Sequence, residues 1–214
     1  MSSELTILVP VLARPHRVKP VLESAARATP GADVLFIADP DDTDELEVLT
    51  CEGADFIAPG GTYAEKINTG VRETDAPLVF SGADDLTFIP GWFEKAKACL
   101  TEQIRVVGVT DRVTERNRLG HHAAHFLIAR DYALLPTIDG GRGPFCEAYG
   151  HLFTDDELIG TARKRGALHI STEAQVEHTH YFDGSGVMDA TYEKGLMTRR
   201  RDRALWKRRR RLWM

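Results

Sequence analysis

The sequence has little of what marks several common protein classes. Three cysteines, Cys51, Cys99 and Cys146, stand far apart in 214 residues. Their odd number and wide spacing exclude a disulfide framework and a Cys-x-x-Cys zinc site, so buried thiols are expected. No apolar run approaches the roughly 20 residues a membrane span needs. The N-terminus lacks a basic segment followed by a signal-like apolar core, which makes a cytoplasmic chain the expectation. No internal repeat is visible. Positive charge is scarce except at one end: Arg199 to Arg211 holds nine Lys/Arg and one Asp, a balance of +8 in a chain of net charge −5, so the remainder carries −13.

What is present is ordinary soluble composition, 43% hydrophobic and 28% charged, enough to build a substantial core. Leu5 to Leu12, broken at Pro10, reads as a buried first strand opening into a loop at Ala13-Arg14-Pro15. Val18, Val21, Leu22, Ala25 and Ala26 fall on one helical face before Pro30-Gly31 stops the pattern. A strand at Val34–Ala38 runs into Asp39. A helix over Asp44–Cys51, a short strand at Phe56–Ala58 and a helix over Tyr63–Glu73 follow, Gly70 permitting close packing against the sheet. The stretch from Pro77 to Pro90 then places an apolar run of strand length directly before Asp84-Asp85. This alternation predicts an α/β fold, a mainly parallel sheet with helices on both faces, with Asp39 and Asp84-Asp85 on one rim. Trp92 to Leu100 predicts a helix and Val106–Val109 a strand. Beyond Thr110 a less regular subdomain is expected, with a glycine-rich loop at Asp139–Pro144, a helix over Asp155–Arg165 and a late strand at Ala174–His178.

Adjacent carboxylates at a strand end suit a divalent cation, because Mg²⁺ and Mn²⁺ take hard oxygen ligands together with substrate phosphates; a solvated turn or a helix cap explains an isolated Asp-Asp equally. If the late strand continues through His178 and His180, their i, i+2 spacing aims both imidazoles at one face, where either suits a carboxylate-bound metal. Thr154-Asp155-Asp156-Glu157 reads as a capping box that leaves Asp155 and Asp156 free, and a carboxylate there suits a general base. Lys66 and Asn68 suit phosphate or nucleoside, or simply a polar helix face.

Taken in order, these pieces resemble the GT-A glycosyltransferases, in particular the inverting family 2 type. Ile7-Leu8-Val9-Pro10 with Arg14-Pro15 resembles that family's first strand and loop. Phe36-Ile37-Ala38-Asp39 resembles the strand ending in the nucleotide-contacting Asp. Lys66-Ile-Asn68-Thr-Gly70, then Phe80 to Asp85 and Pro90-Gly-Trp92-Phe93, is similar to the segment around the Asp-x-Asp metal motif. Thr154 to Leu158 resembles the catalytic-base helix, and Val176 to His180 the late metal-binding segment. The match covers about residues 5 to 192. It departs from the family at the missing first acid of the metal motif, where Gly82 or Ala83 stands, and at the base helix, where Thr154-Asp155 replaces a Glu-Asp pair.

The resemblance implies a GT-A, Rossmann-like nucleotide-sugar domain over 1–197, donor half about 1–110 and acceptor half about 111–197, followed by a basic tail at 198–214. It implies transfer of sugar from a nucleoside diphosphate sugar such as a UDP-sugar to an acceptor hydroxyl, inverting and assisted by Mn²⁺ or Mg²⁺. Asp155 is the favoured base, Asp156 its alternative. Pro10, Arg14, Asp39, Lys66, Asn68 and Asp84 would bind the donor, and Asp85, His180 and Asp84 the metal. Asp139–Pro144 would close over the donor. The acceptor stays open among glycan, protein, small molecule and DNA, and a homo-oligomer is allowed. The tail, with Leu-Trp at 205–206 and again at 212–213, fits a nucleic-acid contact, an anionic membrane surface or docking on the acidic body, or else a solvated tail. The rival functions are a nucleotidyltransferase on a related sheet and a nucleic-acid-binding module, including a glycosyltransferase acting on modified DNA bases.

Overall fold

The computed structural model describes residues 3–214, so Met1 and Ser2 of the expected 1–197 domain lie outside the described residues. Eight strands form one sheet in the order β3-β2-β1-β4-β7-β6-β8-β5. They are β1 (Leu5–Pro10), β2 (Asp33–Ile37), β3 (Asp55–Ile57), β4 (Leu78–Ser81), β5 (Leu86–Phe88), β6 (Val106–Thr110), β7 (His125–Ala129) and β8 (Leu168–His178). The main helices are α1 (Val18–Ala28), α2 (Thr43–Cys51), α3 (Tyr63–Glu73) and α4 (Trp92–Lys97), then the single turns α5 (Glu115–Arg118) and α6 (Arg130–Ala133). The chain ends through α7 (Thr154–Lys164), α8 (Ala190–Met197) and α9 (Arg199–Arg209).

The first half follows the expected strand–helix alternation, and β3, β2, β1 and β4 pair in parallel. Four of the seven pairings, β6–β8 included, are parallel as expected, and the sheet is mixed because β4–β7, β6–β7 and β5–β8 pair antiparallel. The difference arises where periodicity was weakest. The three-residue β5 begins directly after Asp85 and is too short for an alternating signature. The late strand starts at Leu168 rather than Ala174, and its register with β6 jumps between Val109 and Thr110, so a bulge interrupts the pattern.

Apolar residues of the strands meet aromatic side chains in one core. Phe80, Phe126, Trp92, Phe145 and Tyr149 are all fully buried, and Trp92 satisfies its indole N–H by donating to Thr29 Oγ1 at 2.7 Å. Gly70 sits where a Cβ would come within 2.8 Å of both Ile37 and Leu8, so the close approach of α3 to the sheet depends on it. The cysteines depart from expectation: Cys146 is buried, Cys99 half-buried and Cys51 exposed. Among the described residues no helix is long and apolar enough to cross a membrane.

The tail is helical and docked on the acidic body. Asp202, the one acid of the run, is completely buried and accepts from the backbone N–H groups of Gly150, His151 and Leu152. Arg209 donates to Glu157 at 2.6 and 2.8 Å and also pairs with Asp139, while Lys164 donates to the Leu212 carbonyl. Asp139 of the expected lid loop is therefore tied to the tail and to Thr137.

Candidate active site

Topology decides which side chains meet. The chain leaves β1 toward β2 and β3 on one side and reaches β4 on the other, so the crevice between β1 and β4 is a switch point of the kind where open α/β sheets bind ligands. The C-terminal ends of β1, β2, β4, β6 and β8 share this rim, and antiparallel β7 contributes its first residue, His125. The residues that follow these strands therefore converge although they lie far apart in sequence.

Arg14, after β1, crosses the crevice. One guanidinium nitrogen lies 2.9 Å from Asp84 and 3.5 Å from Asp85, the other two donate to Asp189 at 2.8 and 2.9 Å, and the group stacks 4.1 Å above the Tyr192 ring. Asp189 also caps α8 through the Tyr192 N–H, so the start of this late helix is locked to the crevice. Asp85 has three further neighbours: Tyr192 donates to Oδ2 at 2.7 Å, Arg17 lies 3.9 Å away, and His178 Nε2 lies 3.2 Å from Oδ1. The other ring nitrogen of His178 faces Asp111 Oδ2 at 3.0 Å.

This crowding splits the two aspartates. Burial and then the neighbouring charge of Asp85 push Asp84 up to about 7, against the pull of Arg14. Burial also opposes ionisation of Asp85, but the His178 hydrogen bond and charge, followed by Tyr192, hold it well below the usual carboxylate range. Desolvation likewise disfavours the His178 cation, yet Asp111 and Asp85 raise its pKa to about 9. One aspartate is thus a firm anion and its neighbour a group that titrates near neutrality.

The Asp85 side of this cluster fits a cation. His125 Nε2 is buried without a hydrogen-bond partner, while His125 Nδ1 faces the Ser81 carbonyl, which leaves Nε2 as a free lone pair, and Asp85 Oδ1 is buried with His178 Nε2 as its neighbour at 3.2 Å. Asp111, His125 and His178 can each turn a ligand atom to within 4.8 Å of the others. Imidazole nitrogen mixed with carboxylate oxygen suits a transition ion such as Mn²⁺ better than Mg²⁺. His180 is placed differently from expectation. The strand ends at His178, and His180 lies in the loop beyond it, where its Nδ1 accepts from the Phe182 N–H while its ring stays 5.0 Å from that of His178 and 4.9 Å from that of Tyr192. Neither Asp111 nor His125 stood out in sequence, because each is a single polar residue at a strand end; only the topology brings them to His178.

The remaining donor-side residues are spoken for in other ways. Pro10 ends β1, paired with Ile37 at the rim. Lys66 is buried, 3.0 Å from Asp39 and donating to the Val11 carbonyl at 2.7 Å, so it clamps the ends of β1 and β2 together. Asn68 is fully buried and holds the backbone of Phe145 on both sides of its amide, with Glu147 as a further acceptor.

Asp155 and Asp156 stand in the first turn of α7. The capping box is not formed. Phe153, at φ 70°, is the residue before the helix, which places Thr154 inside the first turn, and Glu157 is taken by Tyr149 and Arg209. His122 reaches the pair, with Nε2 3.3 Å from Asp155 and 3.7 Å from Asp156, and its Nδ1 meets Asn117 Oδ1 at 3.1 Å. Burial works against its charge, but the two aspartates outweigh it and raise its pKa. The same contact lowers Asp155 despite desolvation, whereas burial and the charge of Asp155 raise Asp156. Tyr63 and His151 feel the charges of both Asp155 and Asp85, so the two acidic pairs lie within electrostatic reach of the same side chains.

With this geometry the chain has the GT-A fold, the α/β architecture of nucleotide-sugar glycosyltransferases. A mannosyltransferase from Pyrobaculum calidifontis, solved with GDP-Man and Mn²⁺, superposes with TM-score 0.63 at 14% identity, over 85% of this chain and 58% of its own. The chain thus spans less than two thirds of that enzyme. Glucosyl-3-phosphoglycerate synthase from Mycobacterium tuberculosis, with Mn²⁺, UDP and glucosyl-3-phosphoglycerate, gives TM-score 0.63 at 17% identity over 97% of this chain and 80% of its own. A further mycobacterial protein gives 0.65 at 14% identity, over 97% and 74%. No family model matches the sequence, and no curated protein matches it.

Proposed function

We propose that this chain is a glycosyltransferase that moves a sugar from a nucleoside diphosphate sugar to an acceptor hydroxyl with inversion, assisted by a divalent cation. The observation that carries the reading is the meeting of Arg14, Asp84, Asp85 and His178 along one wall of the strand-end crevice, with Asp155 and Asp156 near enough that Tyr63 and His151 feel the charges of both acidic pairs. Solved structures of the same fold hold Mn²⁺ with UDP or GDP-Man, which supports the assignment of the first wall to the donor.

Asp85 and His178, with Asp111 and His125 completing the set, would hold a Mn²⁺-type ion, which supplies Lewis-acid stabilisation of the departing diphosphate. Arg14 adds a fixed positive charge beside Asp84. Asp156 is the better base of the acidic pair, because its environment raises its proton affinity while His122 holds Asp155 as an anion. It takes the proton of the acceptor hydroxyl as that oxygen attacks the anomeric carbon from the face opposite the diphosphate. Asp155 and His122 orient the base.

The test is a panel of nucleoside diphosphate sugars, with and without Mn²⁺, scored for nucleoside diphosphate release, alongside nucleoside triphosphates with sugar phosphates scored for pyrophosphate. Release of diphosphate that is lost in Asp85→Asn and Asp156→Asn supports the reading. Pyrophosphate as the product, or silence across all donors, sinks it.

A further inference from the structure

The docked tail does more than cover the body. Between α5, α7 and the chain terminus lies a pocket of about 310 Å³, and Asp156 is part of its wall. Its cationic lining comes from Arg116, Arg163 and Arg210. Among the described residues neither Arg163 nor Arg210 has a carboxylate partner within 4.0 Å, and Arg116 reaches only Asp156, at 3.9 Å. Two indoles from the tail, Trp206 and Trp213, complete the wall.

These indoles are held in place. Trp206 stacks on Phe153 with ring centroids 5.7 Å apart and has Arg210 5.3 Å from its ring, while its buried N–H meets no acceptor among the described residues. Trp213 lies so close to Gly160 of α7 that a Cβ there would overlap the indole, and Lys164 holds the adjoining Leu212 carbonyl. Guanidinium groups favour phosphate and carboxylate, which they grip with two parallel donors, and an indole face suits the C–H surface of a polyol. A volume at the small end of ligand pockets suits a compact molecule rather than a polymer.

We infer that this pocket is the acceptor site and takes a small hydroxylated acid, its anionic group between Arg163 and Arg210 and a hydroxyl toward Asp156. The inference rests on the transferase reading for the word acceptor, whereas binding of the anion stands by itself. It gives the basic tail a role in acceptor selection that its charge alone does not specify, and Arg163, Arg210, Trp206 and Trp213 act there as specificity-determining residues.

The experiment follows tryptophan fluorescence of the full chain during titration with glycerol 3-phosphate, 3-phosphoglycerate, glycerate and glycerol. Saturable change with the charged compounds and none with glycerol is expected; preference for the phosphate esters over glycerate identifies phosphate as the recognised group, and the reverse identifies carboxylate. Arg163→Gln and Arg210→Gln should each weaken binding at least tenfold, with circular dichroism confirming the fold, and exposed Arg116→Gln gives a third variant should either fail to fold. Binding that occurs without turnover of any nucleotide sugar leaves the site standing and removes the transferase reading. Turnover confined to neutral acceptors, no saturable binding of any anion, or binding indifferent to all three substitutions overturns the inference.

Discussion

His178 presents one ring nitrogen to Asp85 at 3.2 Å and the other to Asp111 at 3.0 Å, so a single imidazole joins the strand-end bend after β4 to the residue after β6. Both carboxylates favour its protonated form and lift its pKa from 6.5 to about 9 against the cost of burial. A raised folded-state pKa stabilises the protein fully below the unfolded value and loses that contribution as pH climbs through the folded one. Unfolding free energy of the metal-free protein should therefore decline by about 3 kcal/mol from about pH 6 to about pH 10, taking 1.36 kcal/mol per unit. Asp85 and Asp111 stay ionised throughout this window, because both titrate below the usual range. Urea denaturation at several pH values checks it, and a His178→Gln variant should show a flatter curve; parallel curves would contradict the bridge.

The same proton competes with metal. An imidazole must be neutral to ligate, so Mn²⁺ affinity should strengthen between pH 7 and 9, by up to roughly tenfold per unit for one proton displaced. Titration calorimetry in two buffers of different ionisation enthalpy reads both the affinity and the proton release. Affinity independent of pH, with no proton released, would remove His178 from the ligand set.

Arg14→Gln should cost about 3–5 kcal/mol, the usual penalty for stripping one partner from a buried ion pair. Arg14 and Asp84 are 4% and 7% exposed, so water cannot replace the lost guanidinium. Asp189, more exposed, loses its partner at smaller cost. Chemical denaturation near pH 8, where Asp84 is ionised, gives the largest effect, and below pH 6 the loss should shrink because a protonated Asp84 no longer needs the cation. A penalty that does not vary with pH would show that Arg14 does not act through Asp84 but through Asp189, Asp85 or packing.

Much of the donor half was legible because its signals are local: Leu5–Pro10, Asp33–Ile37 and Leu78–Ser81 are apolar runs of strand length separated by amphipathic helices. Asp84, Asp85, Asp155 and Asp156 stood out as pairs at element ends, where charge interrupts an apolar pattern. Long-range partnership was not legible. Lys66 and Asn68 read as polar groups on a helix face, and nothing local announces that they fold inward to clamp Asp39 and Phe145. His178 and His180 were indistinguishable in sequence, and only the fold sets His178 between Asp85 and Asp111 with His180 in the loop against its ring. The tail read as a charge run because a single buried Asp202 carries no periodic signal.

Asp202 offers a sharp test of that docking. Its two oxygens accept from three backbone N–H groups at 2.9, 2.9 and 3.1 Å and from Thr198 Oγ1 at 2.7 Å. Asp202→Ala leaves these part-buried backbone donors without their acceptor, at about 1 kcal/mol for each that water does not reach and less than additively for all of them. Asp202→Asn keeps the shape but turns an N–H toward N–H donors, so it should rescue only part of the loss. Thermal unfolding ranks the three proteins; equal melting temperatures for the alanine variant and the parent would show that the loop at Gly150–Leu152 does not depend on the tail.

Gly160→Ala separates local docking from global stability, because the two should move in opposite directions. In the exposed or half-buried interior of a helix, alanine is favoured over glycine by about 1 kcal/mol, so α7 itself gains. The added Cβ, however, falls within the Trp213 indole. The opposing group is a half-buried indole outside the core, held by Lys164 at the neighbouring carbonyl, so displacing it costs far less than shifting α7, whose buried Leu158 and Ala162 pack in the core. The expected outcome is an unchanged or slightly raised unfolding free energy together with a red-shifted Trp213 emission and faster cleavage of the last residues by carboxypeptidase. Since Trp213 lines the pocket beside Asp156, anion binding there should weaken as well. A fall in global stability with unaltered Trp213 emission would mean that the indole stays and α7 yields, reversing the order of rigidity between helix and tail.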